Sequence, residues 1–152
     1  MSWNDWGFNL FKGRIGEAVV EAVLAEFSYT VQRAGYEQLN SGGSRIAPDL
    51  FVTDPRSGSS TYVEVKYRSA RPTSVILDSK RMAALVQQYP EALMAVASAY
   101  DGAIYCAPVS VVKDRIESNR LSLLDDYWQP LSVFFPLVET GPGLSDLWES
   151  IQ

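Results

Sequence analysis

Along residues 62–67, Tyr-Val-Glu-Val-Lys-Tyr, apolar and charged side chains alternate with a period of two. That is the pattern of a strand with one packed face. It puts Glu64 and Lys66 on one side and Val63, Val65 and Tyr67 on the other. Upstream, Asp-Leu-Phe-Val-Thr-Asp at 49–54 predicts a neighbouring strand, and Pro-Arg-Ser-Gly-Ser-Ser at 55–60 is a turn of hairpin length. From about Leu10 to Phe27 the period changes to 3.6, with Val19, Val20, Val23 and Phe27 forming an apolar stripe, which predicts a helix. Residues 28–35 read as a short strand, and residues 36–48 as a loop with Ser41-Gly42-Gly43 at its most permissive point.

Residues 68–76 are expected to form a loop. Residues 77–89 predict a second helix, with Asp78 or Ser79 as N-cap and Pro90 beyond its end. Residues 91–99 and 102–112 are two further apolar strand candidates; a short helix is expected within 109–118, an apolar stretch at 131–138, and a helix or turn at 144–151. Short connections favour antiparallel pairing in the first half. The strand–helix–strand run from Glu64 to Val96 favours a parallel crossover. The expected fold class is α/β, a mixed sheet with helices on both faces. No internal repeat divides the 152 residues, a length suited to one domain.

Composition narrows the chemistry. With 47% hydrophobic and 20% charged residues, the chain reads as an ordinary globular protein, and no membrane association is expected. The first residues show no basic start followed by an apolar stretch, so no secretory signal is expected. The single cysteine, Cys106, lies in an apolar run and reads as a core thiol, in keeping with a cytoplasmic setting. The chain has no histidine, which excludes Ser-His-Asp and Cys-His catalysis and the usual zinc sites. Catalysis would rest on carboxylates, lysine, hydroxyls or a hard metal ion held by oxygen.

The net charge of −5 is unevenly spread: residues 1–81 hold 10 Lys and Arg against 9 Asp and Glu, and residues 82–152 hold 3 against 9. An acidic total leaves room for a local positive cleft around the hairpin.

A hairpin brings Asp49 beside Glu64, and two adjacent carboxylates repel unless a cation lies between them. Mg²⁺ suits that demand, because it takes one or two carboxylates and engages phosphate oxygens; the Val65 backbone carbonyl is a further candidate ligand. Lys66 on the same face would orient or deprotonate an attacking water, or neutralise charge on a phosphorane-like transition state. The chemistry in view is phosphodiester hydrolysis by metal-activated water. The competing reading is a solvated hairpin with an ordinary cross-strand ion pair.

These residues, in this order, resemble the PD-(D/E)XK nuclease superfamily, most closely its archaeal-type Holliday junction resolvase branch. The resemblance rests on Phe-Lys-Gly-Arg-Ile-Gly-Glu-Ala at 11–18, the strand at 28–33, the Ser/Gly loop at 39–44, Pro-Asp-Leu-Phe-Val at 48–52, Glu64-Val65-Lys66, and the helix and two strands of 78–110. It spans about residues 10–112. It implies the restriction-endonuclease-like fold over a single domain, 1–152, with an irregular aromatic-rich C-terminal extension from about 113. It implies Asp49 and Glu64 as ligands of Mg²⁺ or Mn²⁺, Lys66 as catalytic lysine, and Glu17 as the helix carboxylate, holding metal through water.

By helical geometry alone Glu17 lies at the edge of the apolar stripe, about 100° from its centre. An edge position suits either a cleft or solvent. Ser41 falls at the family's loop serine and Arg33 at its basic strand position. Lys12, Arg14, Arg33, Arg45, Arg68, Arg71, Lys80 and Arg81 are candidate phosphate contacts, and Gly42 and Gly43 allow close backbone approach. The implied activity is metal-dependent DNA endonuclease, on branched DNA such as Holliday junctions, by a homodimer or higher homo-oligomer. Two alternatives stand beside it: a sequence-specific homing or restriction enzyme, and a nuclease fold kept as a non-catalytic interaction module. Three features depart from the family: Ala18 follows the helix Glu where the family often has Arg, the second half is acidic, and the final forty residues, with Trp128, Phe134, Phe135 and Trp148, have no counterpart in it.

Overall fold

The computed structural model describes residues 3–34, 47–69 and 73–138, with side chains from Arg14 onward. In chain order the elements are α1 (Trp3–Glu26), β1 (Thr30–Gln32), β2 (Leu50–Thr53), β3 (Ser60–Arg68), β4 (Ser74–Ile76), α2 (Ser79–Gln88), β5 (Leu93–Ser98), β6 (Ile104–Pro108), α3 (Val109–Lys113), β7 (Arg120–Ser122), β8 (Gln129–Pro130) and α4 (Leu131–Phe134). Six strands form one sheet in the order β1-β2-β3-β5-β6-β8. The β2–β3 hairpin is antiparallel, with Leu50 opposite Val63 and Thr53 opposite Ser60. Strand β3 then pairs in parallel with β5, Glu64 opposite Met94 and Lys66 opposite Val96. The α/β fold class and the mixed sheet anticipated from the periodicities are what the chain adopts.

Two cores lie on the two faces of this sheet. On one, Val19, Val20, Val23 and Leu24 of α1 pack against Val63, Val65, Ala95 and Ala97. On the other, Met82 and Leu85 of α2 pack with Met94, Val96, Ala107 and Val112. Period-two alternation sorts β3 between them, so Glu64 shares its face with α2. Cys106 is buried, and burial pushes its thiol up to about 12, which makes it inert packing. Among the described residues no helix is long and apolar enough to cross a membrane.

Several expectations are corrected. Helix α1 begins at Trp3, not near Leu10, and Leu24 rather than Phe27 completes its buried stripe. The chain leaves the helix at Phe27, so that side chain only flanks the core. Residues 74–76 are not a loop but a strand pairing with β7, Val75 opposite Leu121. The run at 102–112 is divided: β6 ends at Pro108, which has no N–H to donate to the ladder, and α3 follows. The chain beyond 113 is not irregular throughout: β8 joins the main sheet beside β6, and Trp128, Leu131 and Phe135 are buried. The expected terminal helix at 144–151 lies outside the described residues.

Helix α1 reaches β3 closely at one point. A Cβ on Gly16 would stand 3.0 Å from the Tyr67 Cβ and 3.4 Å from a Val65 methyl. Any side chain there forces its neighbours to give by a few tenths of an ångström. The Tyr67 Cβ is fixed to strand backbone and has little room to yield. Gly16→Ala gains about 1 kcal/mol of helix propensity and meets an overpacking cost of about 1–3 kcal/mol. We expect Gly16→Ala to lower stability by about 1 kcal/mol in urea titration, and Gly16→Val by more; a more stable alanine variant would disprove the close approach.

Candidate functional site

The hairpin is asymmetric, and that asymmetry makes the site. Strand β2 pairs only with residues 60–63 of β3, while β3 runs on to Arg68. Past Leu50, among the described residues, the edge of β3 has no strand beside it. Asp49 takes that place: its Oδ2 accepts a hydrogen bond from the Val65 N–H at 2.8 Å. In an extended strand a residue's N–H and C=O leave on the same edge. The Val65 carbonyl therefore lies on the Asp49 side as well.

One residue beyond the Leu50–Val63 pair, Asp49 and Glu64 are cross-strand neighbours on one face. Glu64 is 1% exposed. Burial, then the charge of the adjoining Asp49 carboxylate, pushes Glu64 up to about 7; Arg81 and Lys66 oppose that rise. Burial also raises Asp49, against the adjoining Glu64 carboxyl and the hydrogen bond from the Val65 N–H, and Glu17 adds further repulsion. Glu64 Oε2 accepts from the Arg81 guanidinium at 2.9 Å. Among the described residues, Glu64 Oε1 is buried with no hydrogen-bond donor.

The donor set fits a hard cation. An orphaned, buried carboxylate oxygen stands beside a second carboxylate and a strand edge carrying a carbonyl, a combination that oxygen-seeking Mg²⁺ or Mn²⁺ satisfies. Among the described residues no group of three or more acidic, His or Cys side chains is gathered tightly enough to enclose a metal as it stands. Two carboxylates and one carbonyl would form the protein's share.

The other predicted residues divide. Glu17, from the edge of the α1 stripe, is close enough to act on Asp49 electrostatically. Lys66 is half-buried on the Glu64 face and its charge acts on Glu64. Arg68 ends that row, its Nε buried and, among the described residues, lacking a hydrogen-bond partner. Arg33 stands 2.7 Å from Glu21 and 3.8 Å from Glu17, so its guanidinium is engaged with the helix carboxylates. Arg14 and Lys80 are exposed. Ser41, Gly42, Gly43, Arg45 and Arg71, and the side chain of Lys12, lie outside the described residues. Sequence reasoning placed Arg81 among surface phosphate contacts and missed its bond to Glu64. The one available signal was a cation in the first turn of α2, where the helix dipole disfavours it.

No protein-family model and no curated protein matches the sequence. Among solved structures, the chain is similar to Hjc of Archaeoglobus fulgidus, a Holliday junction resolvase, with a TM-score of 0.54 and 19% identity, over 81% of this chain and 94% of that one. The chain has the restriction-endonuclease-like fold.

Because the folded-state value of Glu64 lies above its unfolded 4.5, the metal-free native state holds more protons between 4.5 and about 7. Stability contributed at this site is therefore lost as pH rises through that window. In EDTA, Glu64→Gln should be more stable than wild type at pH 8, by on the order of 2 kcal/mol, and the gap should close below pH 4.5. Urea unfolding at both pH values checks it; a Glu64→Gln deficit at pH 8 contradicts the buried repulsion.

Proposed function

We propose that this protein is a metal-dependent DNA endonuclease, hydrolysing phosphodiester bonds with Mg²⁺ or Mn²⁺ held by Asp49, Glu64 and the Val65 carbonyl. The observation carrying the proposal is the buried, donor-less oxygen of Glu64 beside Asp49 at the open edge of β3. Bound there, the cation supplies the concentrated positive charge that activates water and offsets charge on the phosphate. The chain's own residues do the rest.

Asp49, tied to the Val65 N–H, holds its carboxylate at the strand edge. Lys66 projects from the same face as Glu64 and presents its Nζ–H donors to the oxygens of the scissile phosphate, where negative charge grows. Glu17 orients water on the α1 side of Asp49. Arg68, Arg14 and Lys80 contact neighbouring phosphates and fix the register of the DNA without reading its sequence. Ser41, Gly42, Arg45 and Lys12 serve the same backbone-positioning role, and Arg33 braces Glu17 and Glu21 as well as facing the DNA.

We take branched DNA as the preferred substrate. The solved structure named above belongs to a Holliday junction resolvase, and the likeness extends over nearly all of it. A single site cuts a single strand, so paired cuts on a symmetric junction call for a twofold dimer. A buried, unpaired thiol suits a reducing cytoplasmic setting.

Incubation with linear, nicked and four-way-junction DNA should show cleavage that needs Mg²⁺ or Mn²⁺ and favours the junction. Asp49→Ala and Glu64→Ala should each reduce it more than about 100-fold, and Lys66→Ala by about 10²–10⁴. An Asp49→Ala protein that cuts like wild type would end the proposal. Metal binding without cleavage of any substrate would favour a non-catalytic DNA-binding role, and discrete cuts in linear DNA a sequence-specific enzyme.

A further inference from the structure

Glu64 is 1% exposed, and a carboxylate so placed is costly unless a cation accompanies it. The cation in contact is Arg81, at 2.9 Å from Oε2, and its own side chain is 39% exposed. The two partners are thus unequal. Glu64 is locked in the floor of the site, while Arg81 reaches in from solvent. The backbone beneath Arg81 is fixed: Asp78 caps α2, accepting from the Lys80 and Arg81 N–H groups at 2.9 and 3.2 Å. Met82 and Leu85 anchor the same helix in the core. What can change place is the guanidinium, not the helix. Its position in the first turn runs against the helix dipole, so the helix itself gives it no reason to be there. Glu64 does.

We propose that Arg81 is a resident counter-cation of Glu64. It neutralises the carboxylate in the metal-free protein, gives way to the divalent ion, and is then available to a DNA phosphate. The proposal rests on the metal site described under the proposed function. It makes the ion pair a coupling element: filling the site with metal releases one more positive group toward the substrate, so metal and DNA strengthen each other's binding. A purely structural tie between α2 and the sheet would show no such exchange.

Calorimetric titration of the full chain with Mn²⁺, without DNA, separates these possibilities. Arg81→Gln removes the competitor and should bind Mn²⁺ about fivefold more tightly than wild type. Arg81→Lys keeps charge but loses the guanidinium fork and should show a smaller gain. In a Glu64→Gln background, Arg81→Gln should bring no further gain. In urea, Arg81→Gln should be less stable than wild type in EDTA, and saturating Mn²⁺ should close that deficit. Equal or weaker Mn²⁺ binding in both Arg81 variants overturns the proposal, as does a deficit that Mn²⁺ leaves unchanged. Wild type that takes up no Mn²⁺ defeats the metal site itself, and this proposal with it.

Discussion

Two carboxylates in a low-dielectric corner are the constraint around which the rest is arranged. Asp49 and Glu64 belong to adjacent strands, and the hairpin register leaves them no choice but to meet. Burial raises the proton affinity of both, and the charge of Asp49 raises that of Glu64 further. A protein keeps such a pair only if the surrounding structure holds it rigidly. Here the short β2 ends where β3 continues, and Asp49 replaces the missing strand by accepting the Val65 N–H. One side chain thus completes the ladder and opens the site.

Rigidity comes from both faces. Gly16 lets α1 sit close against the Val65 side chain and the Tyr67 Cα and Cβ, on the same strand that carries Glu64 and Lys66. On the other side α2 is pinned through Met82 and Leu85, and parallel pairing with β5 fixes the height of Lys66 and Arg68. Side chains that must converge within a few ångströms are best held on packed strands and helices, where rotamers have little freedom.

Much of this was legible in the chain itself, for identifiable reasons. Alternation over Tyr62–Tyr67 has a period that admits only one sorting of Glu64 and Lys66, and a turn of hairpin length admits few registers for Asp49. These are local signals. The bond between Arg81 and Glu64 is not local: it depends on how far the crossover carries α2 over the sheet, which no periodicity encodes. The pairing of β4 with β7 joins two three-residue strands far apart in sequence, too short for alternation to show. The close approach at Gly16 is equally silent, since a glycine within a helical pattern also reads as a weak spot.

Glu64 itself invites two chemical readings. A carboxylate raised to about 7 is what a general acid at neutral pH requires, and in a chain without histidine such a group stands out. Its burial decides against that role. At 1% exposure, with one oxygen bound to Arg81, Glu64 is placed to hold a cation rather than to pass a proton to a substrate. Its raised proton affinity instead measures how strongly the pocket asks for positive charge. A proton, a guanidinium and a divalent ion are three answers to the same electrostatic demand, and of these the divalent ion alone places two positive charges between two carboxylates.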